Sequence, residues 1–179
     1  MSGRIFSIGH GKRSLETLVA QLRRLEVSFL IDVRSIPYSR FQPEFSRETL
    51  HAQLDKCPVR YVFMGDLLGG RPSDRDCYDA EGKVDYQRCR TKDFFIRGLE
   101  RLRTAHTKGV SVCLLCSEGR PWECHRAKLI GWALQDLGIA VDHVLPDDSL
   151  RTQLQVIKEL TSGQGELFGP RFTSRKKHT

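Results

Sequence analysis

The sequence lacks a long uninterrupted apolar segment, and this absence excludes a membrane span. The longest uncharged apolar run, residues 109–117, is far shorter than the roughly 20 residues that a transmembrane helix needs. The first ten residues also lack the apolar stretch behind a basic start that marks a secretory signal. We therefore expect a cytoplasmic protein with no membrane partner.

Regular cysteine spacing and internal repeats are also missing. The six cysteines are dispersed, so reduced thiols fit the chain better than a disulfide framework does. At 179 residues with 39% hydrophobic content, the chain is long enough for one domain with a real core. We expect one domain over residues 1–162 and a flexible tail over residues 163–179.

Acidic residues are scarce at the C-terminal end, and this scarcity explains most of the net charge. The chain carries +7, but only +3 remains when the four cationic residues of the acid-free segment 171–179 are set aside. Basic tails of this kind are often solvated arms. The charge therefore indicates a basic tail on a mildly basic body.

Short apolar runs alternate with amphipathic segments along the chain. Helical spacing of leucines follows a Ser14 cap, and Leu150, Leu154 and Ile157 predict a last helix after Asp148. This alternation predicts a single-domain α/β protein with a mostly parallel sheet flanked by helices, Rossmann-like in class. The predicted strands are residues 4–8, 29–33, 59–63, 110–115 and 141–145.

The loop after the fourth predicted strand crowds reactive side chains into one turn. Ligands of parallel α/β sheets collect beyond the carboxyl ends of strands, where helix N-termini offer unpaired N–H groups. A cysteine at such a strand end beside arginines has a lowered thiol pKa, which favours Cys116 as a nucleophile. A small buried hydrophobe is the alternative for Cys116. The loop residues in question are Cys116, Glu118, Arg120, Cys124, His125 and Arg126.

The same loop offers two further kinds of chemistry. His125 is a candidate general base or anion donor beside Glu118, although it could simply cap loop carbonyls. A transition metal bound by Cys116, Cys124 and His125 is a second possibility. The spacing is not that of a usual zinc site, and no second close pair of cysteines exists, so we predict no metal and leave the cofactor unknown. Cys113, three residues before Cys116 on a strand, faces the other side and belongs to the core.

Charged residues that follow the first two strands extend the candidate site. His10 and Arg34 are expected at the same sheet edge as Cys116, and Arg40 in the following proline-rich loop could close over a ligand. Asp32 could hold Arg34 or loop amides in place. With Arg126, the cationic groups outnumber the acidic ones, so the mouth is expected to bind an anion such as phosphate or a nucleotide.

The tail contains a short sequence of a different type. Gln164, Leu167 and Phe168 in QGELF are similar to the peptide with which bacterial DNA-processing proteins bind the sliding clamp. Gly165 departs from the leucine often preferred there. A bacterial clamp is therefore a possible partner, and an incidental apolar pair is the alternative.

Four motifs in order resemble a family of undetermined activity. The resemblance, to the domain-of-unknown-function family 488, covers about residues 4–146 and implies the fold rather than a reaction. Its motifs are IFSIGHG, FLIDVRSIPYSRFQPEF, YVFMGDLLGGRP and LLCSEGRPWECHRAKLIG.

A weaker similarity is to rhodanese-like domains, which also place Asp-Val-Arg after an early strand and a cysteine on a later loop. This similarity implies a rhodanese-like fold as the alternative to a Rossmann-like one. Here residues 117–123 are longer than a rhodanese-type loop and include Pro121 and Trp122, so persulfide transfer does not follow. A cysteine phosphatase would need arginine six residues after Cys116, where Trp122 stands.

Three functions remain open on the sequence alone. The first is an enzyme of DNA processing or repair that binds an anionic nucleic-acid or nucleotide substrate. The second is a non-catalytic nucleic-acid or sliding-clamp binding module. The third is thiol or sulfur-transfer chemistry on a small molecule, which would leave QGELF unexplained.

Overall fold

A six-stranded sheet forms the centre of the protein in the computed structural model, which describes residues 1–161 and 172–178. The spatial order is β3-β2-β4-β1-β5-β6; the first five strands in this order are parallel, and β6 is antiparallel to β5. The strands are β1 (Ile5–Gly9), β2 (Phe29–Asp32), β3 (Arg60–Phe63), β4 (Val112–Cys116), β5 (Val141–Val144) and β6 (Leu150–Thr152).

Helices cover both faces of this sheet. Helix α1 begins after Ser14, whose side chain accepts a hydrogen bond from the Thr17 N–H at 3.1 Å, and it buries Leu18 and Leu22. A π-helical turn, Arg126–Gly131, runs directly into α6. The helices are α1 (Leu15–Arg24), α2 (Arg47–Leu54), α3 (Gly65–Leu68), α4 (Tyr86–Arg90), α5 (Asp93–Thr107), α6 (Trp132–Asp136) and α7 (Gln153–Thr161).

Side chains of the central strand β4 alternate between two hydrophobic cores. Cys113 and Leu115 pack with α1 and α2, whereas Leu114 and Cys116 pack with the core on the opposite face. The structure thus places Cys113 in the core and separates it from Cys116, as the strand period predicts. The fold class, a single α/β domain with a mostly parallel sheet, is confirmed.

The five predicted strands agree with the observed ones within two residues at each end, but the prediction for residues 150–157 was partly wrong. Leu150 belongs to β6, where it pairs with Val144, and the last helix begins only at Gln153. Leu150 and Leu154 are exposed, and the buried residues of α7 are Gln153 and Val156. The spacing of Leu150, Leu154 and Ile157 fits a helix, but Leu150 pairs at the edge of the sheet and does not belong to the helix.

The last described residues pack on the body of the protein. Ser174 is buried, its N–H donates to the Val84 carbonyl at 2.9 Å, and its hydroxyl accepts from the Val84 N–H at 3.0 Å. The Tyr86 N–H donates to the Phe172 carbonyl at 3.2 Å. The division of the chain at residue 162 stays a prediction, and the clamp-like residues Gln164, Leu167 and Phe168 lie outside the described residues.

No helix within residues 1–161 and 172–178 is both long enough and apolar enough to cross a membrane.

Candidate functional site

The carboxyl ends of β1, β2 and β4 bring the chemically active loops together. Gly9 is the parallel partner of Cys116, and the His10 N–H donates to the Cys116 carbonyl at 2.9 Å. On the other side, the Val33 N–H donates to the Leu115 carbonyl at 3.1 Å. The segments that follow three strands therefore meet at one edge, as the topology of a parallel sheet requires.

A pocket of about 330 Å³ opens at this edge. Its lining includes Cys116, which ends β4, and Glu118, Cys124 and His125 from the segment that follows; we call these four residues the reactive cluster. Four cationic side chains line it as well, namely Arg34, Arg71, Arg175 and Lys176, which we call the cationic wall.

The two thiols of the reactive cluster share one carboxylate oxygen. Glu118 Oε2 accepts from the Cys116 thiol at 2.8 Å and lies 3.5 Å from Cys124 Sγ. Both cysteines are almost completely buried, with exposed fractions of 2%. Glu118 is thus positioned to take a proton from either thiol or from a group bound beside them.

The orientation of His125 is set by its second ring nitrogen. Nε2 lies 3.0 Å from the Val33 carbonyl oxygen, which can only accept, so Nε2 carries a proton and donates. Nδ1 points toward the thiols, 3.6 Å from Cys124 Sγ and 3.9 Å from Cys116 Sγ. The Val33 carbonyl therefore keeps a proton on Nε2. Nδ1 then offers a lone pair to the cluster when His125 is neutral and an N–H when it is protonated.

Arg126 lies fully buried beneath the cluster. Its Nε donates to Cys124 Sγ at 3.4 Å, its Nη1 to Ser7 Oγ at 3.1 Å, and its Nη2 to the Glu118 carbonyl at 2.6 Å. The Arg126 backbone N–H also points to Cys124 Sγ, at 3.5 Å. A buried guanidinium with these partners fixes the loop and supplies positive charge to Cys124.

These contacts divide the two thiols electrostatically. Burial alone would raise the pKa of Cys124, but the hydrogen bond with Cys116 and the charges of His125 and Arg126 lower it well below the ordinary thiol range. The pKa of Cys116 is raised, first by its hydrogen bond with Cys124 and then by burial. Burial opposes a charge on His125, yet the neighbouring Cys124 raises its pKa. The local charges thus favour Cys124 as the thiolate, whereas Cys116 as the nucleophile stays a prediction from sequence.

Asp32 holds Arg34 in place. Arg34 donates to the two carboxylate oxygens of Asp32 at 2.9 and 2.6 Å, and the Tyr61 hydroxyl donates to Asp32 at 2.7 Å. Arg34 lines the pocket, and its Nη1 is buried with no hydrogen-bond partner in the described part of the chain. Asp32 therefore positions Arg34, and Nη1 is the one nitrogen of this guanidinium with no hydrogen-bond partner within the described residues.

His10 and Arg40 are not among the residues that line the pocket, so their roles in substrate binding stay predictions. His10 stacks on Phe45 at a centroid distance of 4.5 Å, its Nδ1 bonds to Gln42 at 3.1 Å, and neither it nor Arg40 lines the pocket. Burial and then Arg34 lower the pKa of His10. Arg40 lies over the exposed ring of Phe41 at 5.9 Å, so its closure over a ligand stays a prediction.

Sequence reasoning missed most of the cationic wall. Arg71 follows two glycines in the segment after β3, and its place in the motif YVFMGDLLGGRP was an available signal. Arg175 and Lys176 were assigned to a solvated tail, yet both line the pocket. No local pattern marks them, because the contacts of Ser174 with Val84, 90 residues away, bring them there.

Comparison with known proteins identifies the family alone. The model of the family described as "Domain of unknown function DUF488" matches residues 14–133. No curated protein and no solved structure matches the chain, and the similarity to rhodanese-like domains is not confirmed. Since the matched residues make up more than half of the sequence and include the reactive cluster, the chain belongs to the DUF488 family.

Proposed function

We propose that the protein is an enzyme that acts on a phosphate-bearing substrate, a nucleotide or a nucleic-acid strand. One observation carries the proposal: the reactive cluster and the cationic wall line the same pocket. Thiol, imidazole and carboxylate side chains are the usual general acids, bases and nucleophiles of enzymes. Arginine and lysine are the usual partners of phosphate groups.

The charges of the wall support an anionic ligand. Arg175 forms an ion pair with Glu123 at 3.5 Å and Arg34 is bound to Asp32, but within the described residues Arg71 and Lys176 form no ion pair. Both of these side chains belong to exposed residues. They therefore have charge available for phosphate groups, which Arg34 Nη1 would meet deeper in the pocket.

The buried reactive cluster favours an enzyme over a binding module. Burying two thiols and an imidazole beside a half-buried carboxylate costs free energy unless each group is hydrogen-bonded, and a module that only holds phosphate has no use for them. Sulfur transfer would use the thiols but gives no role to the cationic wall. DNA processing and clamp binding remain proposals from the sequence of residues 164–168.

Binding of a fluorescently labelled single-stranded oligonucleotide tests the anion site. We expect Arg71→Gln with Lys176→Gln to weaken binding about tenfold and to reduce the slope of log K against log salt by about 0.7 for each lost phosphate contact. Arg101→Gln is the matched control, because Arg101 is exposed on α5 and outside the pocket. Equal effects of the control and the double variant would refute the site.

Mass spectrometry of the bound ligand tests catalysis. The purified protein is incubated with nucleotides and oligonucleotides, and a time-dependent change in ligand mass is sought. We expect Glu118→Gln to retain binding and to lose that change, because the carboxylate touches both thiols. Turnover that is unaltered in Glu118→Gln would place the chemistry elsewhere.

A further inference from the structure

The donor atoms of three residues in the reactive cluster converge on one point. Within the described residues, Cys116 Sγ, Cys124 Sγ and His125 Nδ1 all lie within 4.8 Å of one another. A tetrahedral zinc ion with Zn–S near 2.3 Å and Zn–N near 2.0–2.1 Å has neighbouring ligand atoms about 3.5–3.8 Å apart. The sulfur to nitrogen edge is the shorter of these, about 3.5–3.6 Å. His125 Nδ1 lies 3.6 Å from Cys124 Sγ, which equals this edge, and 3.9 Å from Cys116 Sγ, which has to shorten by about 0.3 Å when the ion binds.

We infer that Cys116, Cys124 and His125 bind one divalent transition-metal ion of the zinc class, with a fourth coordination position turned toward the pocket. Two thiolates and one imidazole are soft and intermediate donors that suit zinc and exclude magnesium or calcium. The inference deepens the proposed function and rests on it only for the role of the fourth position.

The surroundings of the three donors resemble the outer shell of a metal site. A metal-bound histidine generally donates its other ring N–H to a carbonyl or carboxylate, as His125 Nε2 does to Val33 at 3.0 Å. Arg126 points two N–H groups at Cys124 Sγ, at 3.4 and 3.5 Å, and such donors also stabilise a thiolate bound to metal. The ring and the sulfur are thus oriented before any ion arrives.

Glu118 lies where it could act on a water molecule bound at the fourth coordination position of the metal. Three protein ligands with a fourth place for water are typical of catalytic zinc, and Glu118 Oε2 lies 2.8 and 3.5 Å from the two sulfur atoms. A water molecule on the metal would transfer a proton to the Glu118 carboxylate and leave a metal-bound hydroxide facing the substrate. Zinc enzymes that deaminate nucleobases use the same donor set, one histidine and two cysteines with a glutamate that is not a ligand.

Cobalt titration of the metal-free, reduced full-length chain tests the inference. We expect one equivalent of Co²⁺ to produce a thiolate-to-cobalt charge-transfer band together with the visible absorption of tetrahedral cobalt, and we expect zinc to displace it. Cys116→Ser and Cys124→Ser should weaken binding at least about tenfold and reduce the charge-transfer band. Cys57→Ser is the control, because this half-buried thiol lies outside the cluster.

Two outcomes would overturn the site: no charge-transfer band with one equivalent of cobalt, or a band that depends on Cys57, Cys77 or Cys89 instead. X-ray absorption spectroscopy of the zinc-loaded, unmutated protein identifies the metal ligands directly. This measurement does not depend on whether a cysteine variant folds. It should show two sulfur ligands at about 2.3 Å, and a shell of only nitrogen and oxygen would contradict the assignment. Since these measurements use metal alone, their failure is distinguishable from a failure of oligonucleotide binding.

Discussion

Replacement of Arg126 by methionine is the sharpest test of how the site is held together. Arg126 is fully buried, and its side chain donates to Cys124 Sγ, Ser7 Oγ and the Glu118 carbonyl. Methionine fills much of the same volume but donates to none of them. The change therefore removes the guanidinium donor from three acceptors, of which Cys124 Sγ and Ser7 Oγ are buried and the Glu118 carbonyl is partly buried.

The expected cost follows from these contacts. A buried polar group left unsatisfied costs about 1–3 kcal/mol, and removing one partner of a buried charge pair costs about 3–5 kcal/mol. Because the three contacts are coupled, we expect a loss of about 3–5 kcal/mol in the free energy of unfolding and not their sum. Such a loss is a large part of the stability of a small domain.

Urea denaturation followed by circular dichroism measures this loss. Arg103→Met is the matched control, because Arg103 is exposed on α5 and its ion-pair partner among residues 1–161 and 172–178 is Glu100, so its replacement should cost less than about 0.5 kcal/mol. Arg126→Lys should fall between the two, since a lysine can satisfy part of the network. An Arg126→Met protein as stable as the control would refute the role assigned to this guanidinium.

Three further predictions concern other parts of the molecule. Burial lowers the pKa of His143 from 6.5 to about 4. Its contribution to the free energy of unfolding, about 3 kcal/mol, is therefore complete above pH 6.5 and is lost as the pH falls from 6.5 through 4. His143→Gln should flatten this pH dependence in acid denaturation. A Cβ at Gly9 would collide with the Glu118 carbonyl, so Gly9→Ala should lower stability by about 1–3 kcal/mol in thermal melts, whereas equal melting of variant and parent would contradict this close approach. If QGELF is a clamp anchor, Leu167→Ala with Phe168→Ala should weaken clamp binding at least about a hundredfold in calorimetry with no change in melting temperature, and no binding by the unmutated protein at about 10 µM would discard the motif.

The fold was predictable because local patterns and the packing agree. Strands β1, β2 and β4 are short, mainly apolar runs, and β3 and β5 keep apolar residues around Arg60, Asp142 and His143. The strand period alone separated Cys113 from Cys116. The exception was Leu150, whose spacing fits a helix while its pairing with Val144 places it in an antiparallel edge strand. The pairing of two strands depends on tertiary contacts, which the spacing of apolar residues along the sequence does not reveal.

The candidate site was predictable only where it depends on strand ends. The loop from Cys116 to Arg126 and the position of Arg34 follow from parallel topology. The role of His125 depends on its Nε2 bond to Val33, which joins residues 92 positions apart. Arg175 reaches the pocket through the contacts of Ser174 with Val84, and no local signal shows it.

The central claim is that the reactive cluster and the cationic wall form one site. The most direct test is whether a bound phosphate ligand protects the thiols from alkylation. Metal-free protein is treated with iodoacetamide with and without a saturating oligonucleotide, and the modified cysteines are identified by mass spectrometry. We predict that Cys124 is alkylated faster than Cys116, and that the ligand protects Cys124 while leaving the rate at Cys57 unchanged. Alkylation of Cys124 at the same rate with the ligand bound would show that the anion site and the reactive cluster are separate.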